Sequence, residues 1–287
     1  MEGTLTLSGA FALYPLAVRW GEEFQKLHPK VKVDVSAGGA GKGMADALGG
    51  LVDIGMVSRG IDPSEMEKGA YPIGVARDAV VATVNARNPA LNDLLRNGVK
   101  RSVFKGIYID GAVKTWGEVV GRPEIKDEIR VYTRSDAAGA PETWARYLGN
   151  RQEDLRGIGV YGDPGLLTAV QRDSLSIGFN NYNYALDLKS GRPVAGIQFV
   201  PFDVNENGFV DSGEEISTKD NIIASFKNGT FPHPPARVEY FVTKGKPTGL
   251  RAEFMRWALT DGQKFLDEVG YIELSKGDLA TEAKKLD

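Results

Sequence analysis

Residues 203–214 read Asp203-Val204-Asn205-Glu206-Asn207-Gly208-Phe209-Val210-Asp211-Ser212-Gly213-Glu214, and their oxygen donors are spaced as in a calcium loop. Asp203, Asn205, Asn207, Asp211 and Glu214 stand at positions 1, 3, 5, 9 and 12. In such a loop position 6 must turn with positive φ, position 7 offers a backbone carbonyl and position 12 a bidentate carboxylate. Gly208, Phe209 and Glu214 fill those three places. A polar surface turn rich in Asp, Asn and Gly would match part of this pattern; here every position is filled. The segment is therefore predicted to hold one calcium ion through Asp203, Asn205, Asn207, the Phe209 carbonyl, Asp211 and Glu214. The loop is single, which argues against a paired sensor that opens an apolar groove and for a structural clamp.

A second chemistry is written in small residues. Gly38-Gly39-Ala40-Gly41-Lys42-Gly43 lies between a predicted strand and a predicted helix, where main-chain N–H groups and a helix start make an anion site. It is no nucleotide P-loop, because Gly43 follows Lys42 where Ser or Thr is required, and it lacks the G-x-G-x-x-G spacing of a dinucleotide fingerprint. Ser8-Gly9-Ala10-Phe11-Ala12 and Arg134-Ser135-Asp136-Ala137-Ala138-Gly139-Ala140 are two further junctions of the same kind. Arg134 offers a bidentate fork for an oxyanion, with Asp136 placed to hold the guanidinium. Asp53, ahead of the apolar run 54–57, would accept a hydrogen bond from a protonated oxyanion. The plainer readings are a tight turn, a surface Arg–Asp pair and a strand-entry cap. Catalysis finds no footing: the two histidines, His28 and His233, fall in proline-flanked loops, and no H-E-x-x-H or G-x-S-x-G is present.

These groups sit in a chain of 287 residues with a net charge of −3 and no cysteine. That length fits one large domain or two lobes. No basic block interleaves with aromatics, so nucleic acid is not an expected partner. Disulfides and thiol chemistry are excluded, and no run of eighteen apolar residues occurs. The N-terminus enters a strand pattern directly, so any secretion signal or lipid anchor is expected to lie outside this chain.

The elements that must position the sites alternate between strand and helix. Strands are predicted at 4–8, 31–36 and 54–57, with helices at 13–27 and 43–48 between them, which means βαβ units and a parallel sheet. In the first helix Leu13, Leu16, Ala17, Trp20 and Phe24 share an apolar face opposite Arg19, Glu22, Glu23 and Lys26. A second set follows, with strands at 79–85, 129–133, 158–161 and 177–181 and helical stretches at 93–107 and 142–148. A strand at 237–243 and a helix at 250–269 are expected to return to the first lobe.

In this order the motifs carry a resemblance along nearly the whole chain. They are Tyr14-Pro15-Leu16 with Trp20, Gly38-Gly39-Ala40-Gly41, Val52-Asp53-Ile54-Gly55-Met56-Val57-Ser58-Arg59, Lys114-Thr115-Trp116, Arg134-Ser135-Asp136-Ala137-Ala138-Gly139, Ser176-Ile177-Gly178-Phe179, Asp261-Gly262-Gln263 and Val269-Gly270-Tyr271. The chain resembles the phosphate-binding proteins of phosphate ABC importers. The resemblance implies the α/β, two-lobed type II periplasmic-binding-protein fold, with two hinge-crossing strands near 79–85 and 237–242. It places lobe I at 1–82 plus 238–287 and lobe II at 83–237, with the calcium loop an insertion. It further implies an extracytoplasmic location, a membrane permease as partner, a monomer, and no enzymatic activity. The ligand, phosphate or a related small oxyanion, would be held in an interlobe cleft by Ala10, Phe11, Ala12, Gly39, Ala40, Gly41, Asp53, Ser58, Arg134, Asp136, Ala138, Gly139 and Ala140.

The departures are chemical. Where the family usually carries Gly-Ser-Thr-Thr, Gly-Ser-Gly and Asp-Gly-Ser-Gly-Thr, this chain has Gly9-Ala10-Phe11-Ala12, Gly39-Ala40-Gly41 and Asp136-Ala137-Ala138-Gly139-Ala140. Each lost hydroxyl bond to a charged ligand is worth about 1.5 to 3 kcal/mol. Weaker phosphate binding is therefore expected, and a different small solute, or a calcium-stabilised sensory or surface module without a transport role, stands as the alternative.

Overall fold

The computed structural model describes residues 1–287. In chain order its first half comprises β1 (Gly3–Gly9), α1 (Tyr14–Leu27), β2 (Val31–Ala37), α2 (Ala40–Gly49), β3 (Ile54–Val57), α3 (Pro63–Glu67), β4 (Ala70–Asn85), α4 (Leu91–Asn97), α5 (Arg101–Lys105), α6 (Trp116–Val120), β5 (Arg130–Arg134) and α7 (Gly139–Tyr147). The second half comprises β6 (Ile158–Val160), α8 (Gly162–Arg172), β7 (Ser176–Asn181), α9 (Tyr182–Ala185), β8 (Leu186–Asp187), β9 (Arg192–Pro193), β10 (Ile197–Phe199), α10 (Lys219–Lys227), β11 (Ala236–Lys244), α11 (Gly249–Leu259) and α12 (Lys276–Lys284). No helix is long and apolar enough to cross a membrane.

Two compact units divide the chain. One comprises Met1–Asp78, Ala137–Gly139 and Arg237–Asp287; the other comprises Ala79–Asp136 and Ala140–Ala236. The boundaries lie at 78/79 within β4 and 236/237 within β11, where the sequence placed them at 82/83 and 237/238. β4 is one continuous strand of 16 residues, so its apolar pattern gives no sign of where its partners change. The three residues 137–139 join the first unit without any sequence signal.

In the first unit the strand order is β2-β1-β3-β11, with β1 parallel to β2 and β3, and β11 antiparallel to β3. The α1 face predicted to pack inward does so, with Leu16, Ala17, Trp20 and Phe24 all buried. Pro15 stands in the first turn, where its missing N–H costs nothing. Trp20 meets Phe241 edge-on at 5.6 Å, and its indole N–H donates to the Gly262 carbonyl at 2.7 Å. The helix expected over 250–269 ends at Leu259. Thr260 leaves helical geometry, and 3-10 turns at Asp261–Phe265 and Asp267–Val269 follow. The Gln263 side chain draws this turn inward, donating to the carbonyls of Ala258 at 2.8 Å and Val75 at 3.1 Å.

In the second unit the order is β10-β4-β7-β5-β6, with β5 parallel to β6 and β7, and β4 antiparallel to β7 and β10. Trp144 of α7 stacks on Phe179 with centroids 5.6 Å apart, and Phe104, Tyr108 and Phe202 close around it. Aromatic pairs at such spacings add to what burial alone supplies. The helical stretch expected at 93–107 is broken at Gly98, which has φ +66° and packs so tightly that a Cβ there would meet the Asp203 amide nitrogen at 3.0 Å.

Candidate functional site

Three parallel strands of the first unit, β1, β2 and β3, end at one edge of their sheet, the edge at which open α/β sheets bind ligands. Backbone bonds stitch those ends together. The Gly9 carbonyl accepts from Gly38 N at 2.8 Å and Gly39 N at 3.0 Å, and Ala10 N donates to the Met56 carbonyl at 2.8 Å. No side chain could be interposed. A Cβ on Gly9 would lie 2.3 Å from the Met56 carbonyl oxygen, and one on Gly43 would lie 2.5 Å from the same oxygen and 2.8 Å from Gly9 Cα. Glycine at these positions is thus a packing requirement, and it brings the start of α2 against the strand ends.

Ala10, Phe11 and Ala12 lead into α1, and the Ala12 carbonyl accepts from the buried Tyr271 hydroxyl. Gly39, with φ +93°, caps α2, so Ala40 and Gly41 occupy its first turn, where N–H groups have no intrahelical acceptor. Ser58, 2% exposed, follows the end of β3. Residues 137–139 belong to the same unit. A Cβ on Gly41 would sit 3.6 Å from Ala137 Cβ, and one on Gly139 would strike Ser58 Oγ at 1.9 Å. The first unit therefore brings together Ala10, Phe11, Ala12, Gly39, Ala40, Gly41, Ser58, Ala138 and Gly139. Ala40 is fully buried in the apolar core of this unit, and Ala140 in that of the second.

Asp53 does not join them. It lies at the opposite end of β3, where its carboxylate accepts from the Thr6 amide and hydroxyl, each at 2.9 Å. The correction follows from strand polarity: a residue ahead of a parallel strand stands at the amino edge of the sheet, and the helix starts gather at the carboxyl edge.

In the second unit Arg134 ends β5 with no side-chain exposure. Its fork is already engaged: Nε and Nη2 donate to Asp136 at 2.7 and 2.5 Å, and Nη1 donates to Asp163 at 2.7 Å. Asp136 holds the guanidinium as the two-residue spacing allowed. Burial disfavours the charged guanidinium, but Asp136 and Asp163 outweigh it and hold the Arg134 pKa above its usual value. Burial likewise pushes the Asp136 carboxyl up; the Arg134 bonds prevail and hold it below the usual carboxylate range. Asp163 is fully buried at the start of α8 and accepts further from the Asn181 amide at 3.1 Å and its side-chain nitrogen at 2.8 Å.

Two groups escaped the sequence reading. Asp163 was missed because its partners are 18 and 29 residues away. Asp46, buried in α2, accepts from the Ser8 hydroxyl at 2.6 Å and also bonds Lys42. Burial raises the Asp46 pKa, yet the Lys42 and Ser8 bonds together hold it below its ordinary value. The Lys42–Asp46 spacing of four on a helix was the available signal.

In the 203–214 segment Gly208 turns with φ +84°. Its amide donates to Asp203 Oδ2 at 3.0 Å, and Glu214 folds back to accept from Val204 N at 2.8 Å.

The chain is similar to proteins of known role. The phosphate-binding protein PstS of Bacillus subtilis (strain 168) is 23% identical over 284 residues, covering 98% of this chain and 84% of that one. PstS of Methanocaldococcus jannaschii is 26% identical, covering 90% and 79%. Among solved structures, a putative phosphate ABC transporter substrate-binding protein from Clostridium perfringens superposes with a TM-score of 0.77 at 21% identity, covering 95% of this chain and all of that one. An ABC-type phosphate transport receptor from Vibrio cholerae gives 0.68 at 21%, covering 94% and 100%. The fold is thus the type II periplasmic-binding-protein fold. A family model described as a PBP superfamily domain matches residues 2–262, and the chain belongs to that superfamily.

Proposed function

We propose that this chain is the extracytoplasmic solute-binding component of a phosphate-type ABC importer. In this reading it captures phosphate or a related small oxyanion, hands it to a membrane permease, and carries out no catalytic step. The observation that carries the reading is the carboxyl edge of the first unit, where Ala10–Ala12, Gly39–Gly41, Ser58 and Ala138–Gly139 gather around the starts of α1 and α2. Helix starts and exposed main-chain N–H groups favour anions without any cationic side chain. Within the second unit Arg134 is the buried cation that Asp136 and Asp163 orient. The relatives described above, named as phosphate-binding proteins, support the same choice of ligand. Secretion or a lipid anchor belongs to this proposal as well.

A second reading keeps the fold and changes the solute. It is favoured by alanine at 138, which leaves the anion with main-chain donors where a hydroxyl would add to them. Calorimetric titration with phosphate and sulfate decides between the two. A 1:1 exothermic phosphate isotherm is expected. Absence of heat with both anions, from protein whose fold is verified by circular dichroism, would sink the oxyanion reading and leave a different solute or a sensory module.

A further inference from the structure

The oxyanion reading leaves the 203–214 loop without a task, and its buried charges need one. Asp203 is 3% exposed and Glu214 4%. The donors to these two and to Asp211 are main-chain amides and asparagine side-chain nitrogens, with no Lys or Arg among them. Buried carboxylates are normally paired or bound to metal, since an isolated buried charge is strongly disfavoured. The Glu214 carboxylate has amide donors, with Oε1 on Val204 N at 2.8 Å and Asn205 N at 3.3 Å and Oε2 on Asp211 N at 3.1 Å. Asp203 is different. Its Oδ2 accepts from Gly208 N across the loop, which points the carboxylate inward, and its Oδ1 is buried with no hydrogen-bond partner. Position 1 thus presents one orphaned oxygen to the loop interior.

We infer that this loop binds one calcium ion, with Asp203 Oδ1 as the anchoring ligand. Asn205 and Asn207 fix their Oδ1 atoms on the amides two residues on, at 3.0 and 2.8 Å, and the second lone pair of each oxygen can serve the cation. The three carboxylates alone do not form an acidic cluster, so amide and main-chain oxygens complete the set. That donor set contains only oxygen, which selects a hard cation over zinc or copper; its number and the bidentate Glu214 favour calcium over the smaller, strictly octahedral magnesium. No helix directly flanks either end of the loop, so the ion cannot drive a helix-opening switch. It acts as a clamp. Asp203 N donates to the Val99 carbonyl at 3.2 Å and Val210 N to the Arg96 carbonyl at 3.0 Å, tying the loop to the α4–α5 junction. Phe202, next to Asp203, lies in the aromatic core beside Phe104 and Trp144. Calcium would therefore brace the core of the second unit.

Chelator-treated full chain, titrated with calcium chloride in a calorimeter without phosphate, is expected to bind one ion per chain, with magnesium weaker by about tenfold or more. The melting temperature should rise with calcium and fall again on adding EDTA. Glu214→Gln should abolish both effects. Because Glu214 also holds three amides, Asn207→Ala, at an exposed position, provides the second test: circular dichroism unchanged, affinity reduced about tenfold. Wild-type protein that shows neither heat nor a melting shift up to about 10 mM calcium, beyond the weakest extracellular modules, overturns the inference. So does calcium binding that survives both substitutions.

Discussion

Arg134 Nη1 donates to Asp163 Oδ2 at 2.7 Å, and neither side chain has any solvent exposure. Removing the cation leaves Asp163 buried with only the Asn181 donors. Arg134→Ala should accordingly destabilise the second unit by about 3–5 kcal/mol, the cost of breaking a buried pair from one side. Urea unfolding measures it, and a change under about 1 kcal/mol would show that water or relaxation satisfies Asp163. Phosphate affinity is to be measured on the remaining folded protein, so that lost binding is not mistaken for lost structure.

Glycine at 43 is dictated by backbone contact. Gly43→Ala places a methyl carbon 2.5 Å from the Met56 carbonyl oxygen and 2.8 Å from the Ser8 carbonyl oxygen, with no flexible side chain to yield. A loss of about 1–3 kcal/mol is expected from overpacking, with ligand binding weakened in parallel. Gly50→Ala, where nothing lies within 4 Å but φ is +72°, serves as the control for conformational strain alone.

Restoring hydroxyls separates two alanines that look equivalent in sequence. Ala138 is 7% exposed beside Gly139, so Ala138→Ser should gain a donor and tighten phosphate by about tenfold or more, matching about 1.5 kcal/mol or more for a bond to a charged group. Ala40 is buried in the apolar core of the first unit. Ala40→Ser is expected to lower the melting temperature without a comparable gain. Calorimetry and melting on both variants check this, and equal gains would place Ala40 at the ligand.

The acid limb of stability follows from Asp46 and Asp136. Both carboxyls are held below the unfolded value of about 3.9 by their partners, so both favour the folded state above that value. The contribution is fully present at neutral pH and is lost as pH falls from about 4 through the lower folded values. Asp136→Asn should flatten the fall in stability below about pH 4 relative to wild type, read from urea midpoints across pH. An unchanged slope would assign acid sensitivity to other carboxylates.

The alternation of strands and helices was legible because it depends on local period. Strands expected at 4–8, 31–36 and 54–57 are β1, β2 and β3, displaced by at most a residue or two. Breaks were harder to see. Gly98 ends the first part of the 93–107 stretch with φ +66°, and the Asp203 main chain packed against it leaves little room for a side chain, while Thr260 ends α11 by leaving helical geometry. In the candidate site the glycine junctions were readable as strand-to-helix turns, whereas Asp46 on Ser8 and Asp163 on Arg134 depend on pairings across 38 and 29 residues. Asp53 was misplaced because spacing reports adjacency to a strand and says nothing about which end of the sheet the ligand uses.

The glycine packing at the ends of β1, β2 and β3 bears on how such a protein can diverge. Gly9 and Gly43 meet the Met56 carbonyl through main chain, so the geometry of the socket does not depend on the side chains that face it. Ala138 can therefore exchange with other small residues while the scaffold persists. Ligand preference can drift along a lineage faster than architecture, and a chain less than a third identical to its relatives can keep their fold while its choice of solute is retuned.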